Sequence, residues 1–263
     1  MPTSAALLTN AAFGDDPGRW PLPVAGTPHE LWLRAVVAGG QGRYASALAD
    51  LAALRRAVRS GPLLSMAHST HASFLRQLGW HDHARPWDGR ALAQSGADPE
   101  AGADALIGLA ADALGVGRFE ASARALDRAA ELVAESKSNR LPVRLAWVSA
   151  ELAMVSGRGA DAVGHAERAV ELAAVLGSAR HAVKSDVVYA AALCSSGDLD
   201  AARRVADSAL DVTDRLGMFP LCWALACLLH DIGSSTRSAD RVAVIRDGSA
   251  DTVRRRGGVW SVR

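Results

Sequence analysis

His68 and His71 stand three residues apart, the spacing that puts two side chains on one face of a helix, and His81, Asp82 and His83 follow. Such a set has metal-binding chemistry if His81 or Asp82 reaches across from the next helix. No cysteine pair or His-Glu-x-x-His pattern accompanies it, and a structural zinc site needs about four donors. The set therefore reads as a histidine-rich packing face without metal. Its expected consequence is a segment that loosens as these imidazoles protonate near their ordinary value of about 6.5. Cys227 and His230 are also three apart, with Cys194 on a neighbouring helix. A thiolate–imidazole pair is the chemistry this spacing allows, but no third orienting residue follows, and a buried cysteine behaves as a small hydrophobe. Arg254, Arg255 and Arg256 match a phosphate-binding cluster in type. At the end of a helix they equally answer the macrodipole, with Gly257 and Gly258 as the stop. No GxxxxGK[ST] loop is present, and the glutamates Glu30, Glu100, Glu120, Glu131, Glu135 and Glu151 are scattered along helices. No catalytic, cofactor-binding or metal-binding residue is assigned.

The elements that hold these residues repeat. Gly42, Gly79, Gly117, Gly157, Gly197 and Gly233 are separated by 37, 38, 40, 40 and 36 residues. Seven residues before each is an alanine (Ala35, Ala72, Ala110, Ala150, Ala190, Ala226). Five after each is a small residue (Ala47, Ala84, Ser122, Ala162, Ala202, Ser238), and twelve after each is Leu54, Ala91, Ala129, Ala169, Ala209 or Ile245. A period in this range marks a helical solenoid whose units bury their apolar faces only against neighbours. Glycine ends one helix in a left-handed conformation, and the small columns let two helices approach closely. Helix pairs are predicted at roughly 28–58, 62–95, 99–136, 139–176, 178–215 and 218–255, with an all-α fold.

Composition sets the outer bounds. The chain has 263 residues, 49% of them hydrophobic, and a net charge of +1, so no global field draws in nucleic acid. Lys137 and Lys184 are the only lysines among 29 basic residues, a bias expected of a GC-rich bacterial genome. Three cysteines do not make a disulfide framework, which points to a reducing cytoplasm, and no apolar run approaches a membrane span. Residues 1–27 are interrupted by Gly and Pro and are expected to be irregular apart from a short turn at 5–12; residues 256–263 are expected to be a tail.

Gly42-Arg43-Tyr44-Ala45-Ser46-Ala47 and Gly117-Arg118-Phe119-Glu120-Ala121-Ser122, with Gly197-Asp198-Leu199-Asp200-Ala201-Ala202, resemble the turn of the tetratricopeptide repeat family. The resemblance covers residues 28–255 and implies a TPR-like, right-handed superhelix of about six antiparallel helix pairs. It also implies that the first helix of each pair lines a concave groove where partners bind. That face falls 13, 10, 6 and 3 residues before each glycine and includes Trp32, Met66, Arg76, Arg144, Trp147, Glu151, Met154, Lys184, Trp223 and His230. Trp32, Trp147 and Trp223 share one register, and exposed Trp, Met and Arg in a concavity favour recognition of a partner. The same tryptophans would otherwise fill space between adjacent first helices. The paired Lys and Asn with which some family members grip a C-terminal carboxylate are missing from the face.

The function expected is therefore a non-enzymatic, cytoplasmic adaptor that holds a protein or peptide in its groove, without cofactor, nucleic acid or membrane. The alternative is a regulatory sensor that binds a peptide or small ligand and modulates a transcription or signalling partner. Residues 1–27, with Leu7, Leu8 and Phe13, are expected to compete for the groove.

Overall fold

A computed structural model describes residues 2–261. Among these residues there are thirteen α-helices and no strand. The first, α1, spans Ser4–Phe13. Six pairs follow: α2 Pro28–Gly40 with α3 Tyr44–Ala57, α4 Pro62–Gln77 with α5 His81–Gln94, and α6 Pro99–Gly115 with α7 Phe119–Glu135. The last three are α8 Arg140–Val155 with α9 Gly159–Leu176, α10 Ala179–Ser196 with α11 Leu199–Arg215, and α12 Phe219–Ile232 with α13 Ala239–Arg255. Each pair packs on itself and on its neighbours, and no helix among the described residues is long and apolar enough to cross a membrane.

The six phased glycines all have φ between +69° and +92°. In the first five repeats the amide of the residue after the glycine donates to the carbonyl four residues before that glycine. Arg43 N–H reaches Ala38, Trp80 reaches Leu75, Arg118 reaches Ala113, Arg158 reaches Ala153 and Asp198 reaches Leu193, at 2.8–3.0 Å. This bond satisfies a carbonyl that the ending helix leaves open, and it needs the left-handed residue between. The next helix then begins two residues past the glycine. Alanines seven before the glycine are fully buried in all six repeats, and Ala47, Ala84, Ser122, Ala162 and Ala202 are fully buried opposite them. Side chains this small let the two backbones of a pair close up.

The sixth repeat departs from this register. After Gly233 the loop runs on, and α13 starts six residues later, capped by the Ser238 hydroxyl. Ser238 is exposed and Ile245 only half-buried. Val242 and Ser249, four positions further on, occupy the buried sites instead. A shift of four residues is about one helical turn, so the face is kept while the residue numbers move.

Both ends of the chain depart from the expectation of irregular structure. Thr3 caps α1 by accepting from the Ala6 amide, and Leu8, Ala11 and Ala12 of α1 are buried against α2. Past α13, residues 256–261 are packed rather than free. The Arg256 carbonyl accepts from the Ala45 amide (3.0 Å), and its guanidinium donates to the Gln41 carbonyl (2.7 Å). The Trp80 indole donates to the Val259 carbonyl (2.6 Å) and the Ser261 amide to the Leu78 carbonyl (2.8 Å). Val253, Phe219 and Trp260 join the core cluster of Tyr44, Phe74 and Leu78, so the last pair meets the first two. The final two positions of the expected tail, 262 and 263, lie outside the described residues.

Candidate functional site

Trp32 and Trp147 make the same bond in two repeats. The Trp32 indole N–H donates to Thr70 Oγ1 on α4 and the Trp147 indole N–H to Ser185 Oγ on α10, each at 2.9 Å and each 38 residues onward. Both tryptophans thus tie one first helix to the next. Trp32 is buried and Trp147 half-buried, so these rings fill space between first helices instead of standing exposed. Trp223 holds the same register in α12, the last first helix among the described residues. Trp260 from the C-terminal segment stands against it, ring centroids 4.2 Å apart.

The charged residues of the predicted face are held in ion pairs, some within a repeat and some across repeats. Arg76 on α4 holds Asp88 on α5 and Asp112 on α6, the latter at 2.9 Å. Both carboxylates are completely buried, and Ser69 also donates to Asp88 at 2.8 Å. Burial raises Asp88 to about 7 despite Arg76, with Asp112 adding to the rise, and burial raises Asp112 as well. Two acids on one guanidinium cannot both ionise cheaply, so a proton between them is favoured. On α8, Arg144 pairs with Asp104, and Arg140 bridges Asp104 (3.0 Å) and Glu100 (3.3 Å). Burial, then the like charge of Arg76, brings Arg144 down to about 10, still charged at neutral pH. Lys184 and Glu151 pair at 3.4 Å with both side chains 30% exposed, the most open ion pair on this face.

The remaining predicted residues are spread along the fold. Met66 packs half-buried beside Trp32 in the first core cluster, Met154 lies in the α8–α10 cluster, and His230 is exposed at the end of α12. Sequence reasoning missed Arg140, Arg180 and His181. The signal was available: Glu100, Arg140 and Arg180 each lie 17 residues before their glycine, one helical turn beyond the register considered.

The N-terminal segment meets this face. Phe13 of α1 packs against Trp32 (centroids 5.5 Å) and His181 (6.2 Å), and the Arg140 guanidinium lies 5.9 Å from its ring centre. His181 in turn stacks on Trp147 at 5.4 Å, and its Nδ1 lies 2.9 Å from Ser178 Oγ. Burial, reinforced by Arg180, Arg140 and Arg144, pushes His181 well below its usual range, so it stays neutral. The Gly14 carbonyl accepts from the Ala179 amide at 3.0 Å, and the Gln41 side chain donates to the Pro17 and Arg19 carbonyls at 2.8 and 3.0 Å. A cleft of about 390 Å³ opens where the C-terminal segment meets the end of α4, lined by Arg76, Gln77, Trp223, Arg254, Trp260 and Ser261 among others.

The histidine set does not converge. His71 stacks on Trp87 at 3.9 Å and His68 lies 5.4 Å from the same ring, whereas His81 packs toward Gly115 of α6. Burial, with Arg55 and Arg90 nearby, lowers His68 and His71 to about 4, which moves their protonation well below the expected 6.5. Burial raises the Cys227 thiol, the opposite of an activated nucleophile. Arg254 and Arg255 are engaged within α13 by Asp251 and Thr252, and Arg256 serves the chain-end contact.

A scan against protein-family models and a search of the curated proteins each find no match to this chain.

Proposed function

We propose that this chain is a TPR-like α-solenoid adaptor, non-enzymatic, that holds a segment of another protein on the face formed by its first helices. The observation that carries the reading is that this face already holds a peptide segment, its own α1, with Leu8, Ala11 and Ala12 buried and Phe13 set between Trp32 and His181. The five repeated glycine turns and the paired tryptophan bonds support the repeat architecture. A cytoplasmic location accords with three free cysteines. The second reading, a sensor that transmits ligand binding to a regulatory partner, is favoured by the contact between chain ends, which a ligand in the adjoining cleft would open or tighten.

Affinity capture with charge-reversed variants tests the reading. Lys184→Glu alters an accessible groove position, and Arg128→Glu alters an exposed position on α7. A partner lost from the first and kept by the second supports the groove. A partner lost only from Arg128→Glu overturns it.

A further inference from the structure

We propose that the groove recognises an amphipathic helix presenting Leu, Ala, Ala and an aromatic residue at positions i, i+3, i+4 and i+5, and that α1 occupies it in place of such a helix from a partner. The inference rests on the groove reading above and adds the chemistry of the ligand. Four contacts define it. Leu8, Ala11 and Ala12 are no more than 1% exposed, and Phe13 is half-buried, while Ser4, Ala5, Ala6, Thr9 and Asn10 face outward. One face of α1 is therefore read, and the other is left unspecified. Alanine at two neighbouring positions lets the helix lie close on α2, as in other helix-in-groove contacts. The receptor also suits a helix C-terminus, which carries partial negative charge. The Ala179 amide takes the Gly14 carbonyl, and Arg140 lies over Phe13.

The connection between α1 and the repeats is irregular. Between α1 and α2, residues 14–27 contain Gly14, Pro17, Gly18, Pro21, Pro23 and Gly26 and no helix. Gln41 anchors this connection at Pro17 and Arg19, so α1 can leave while the rest of the connection stays in place. A short tether holds α1 at an effective concentration on the order of millimolar, which a partner must exceed by affinity.

The test uses the full chain and a fluorescent peptide of residues 2–16. Leu8→Asp in the full chain expels α1. With helicity reduced by no more than the loss of α1 itself, that variant should bind the peptide about tenfold or more tightly than wild type does, because the tethered competitor is gone. A peptide carrying Leu8→Asp should bind neither chain, and one with Ser4, Ala6 and Thr9 changed to Lys should bind as well as the parent. Wild type supplies an independent measurement: excess peptide should speed hydrogen exchange in residues 4–13 of the chain. Equal binding to both chains, or no binding together with unchanged exchange, overturns the proposal. If the peptide fails while Lys184→Glu still loses a partner, the helix chemistry is wrong and the groove reading stands.

Discussion

The carbonyl oxygen of Gly14 accepts a 3.0 Å hydrogen bond from the amide of Ala179, so the end of α1 caps the start of α10. Ser178 precedes α10 but makes no cap with its side chain, because its hydroxyl lies against His181 Nδ1 instead. The N-terminal segment thus supplies what the helix would otherwise lack, and α10 and α1 depend on each other.

Phe13→Ala should lower stability by about 2 kcal/mol, below the range for a fully buried phenylalanine because the ring is only half covered. Urea denaturation followed by tryptophan fluorescence reads it, since Trp32 touches the lost ring directly. An unchanged midpoint would mean that the Phe13 ring contributes nothing to the fold.

Trp260→Ala should loosen the contact between the chain ends. It removes the ring against Trp223 and weakens the segment whose Arg256 carbonyl holds the Ala45 amide. Hydrogen exchange at Ala45 should rise by about tenfold or more, as for a locally opened unit, while Ala110 in the third repeat is unaffected. Equal protection at Ala45 in both proteins would show that the closure does not depend on this tryptophan.

Two helical glycines should respond to alanine with opposite signs. At Gly164 a Cβ would meet nothing within 4 Å, so alanine should stabilise by roughly 0.5–1 kcal/mol through helix propensity. At Gly108 the Cβ would fall 2.4 Å from an Asp88 carboxylate oxygen, displacing a group held by Arg76 and Ser69. Gly108→Ala should therefore destabilise by about 1–3 kcal/mol. Thermal melts of the two single variants compare them, and stabilisation by both would show the Asp88 site to be yielding.

The histidines set a pH dependence below neutrality. His68 and His71 bind protons near 6.5 when unfolded and near 4 when folded. Between those values the unfolded chain holds more protons, so their stabilising effect is complete above about 6.5 and is lost as pH falls toward 4. Asp88 acts the other way, because its folded value of about 7 lies above the unfolded one and protonation favours the fold. The informative quantity is the difference between wild type and His71→Gln. That difference should move against wild type as pH drops from 6.5 to 4, and a flat difference would show His71 to be protonated without penalty.

Helix positions and their pairing are legible in the sequence, because the turn chemistry is local. A glycine every 36–40 residues ends a helix by its own backbone freedom, and the small columns around it say which faces meet. The Trp32, Trp147 and Trp223 register is legible for the same reason. What that register touches is not: Thr70 and Ser185 are hydroxyls with no distinguishing pattern until adjacent first helices are placed side by side. The last repeat escapes the pattern at Ser238 and Ile245 because a longer loop moves the register by one turn without changing the hydrophobic period. Tertiary structure alone decided the contacts between Arg256 and Ala45, between Trp80 and Val259, and between Gly14 and Ala179. Each joins residues far apart in the chain, and nothing local to either partner marks the contact. The sequence determines each helix pair; only tertiary packing decides that the C-terminal segment meets the first two pairs and that α1 lies against both α2 and α10.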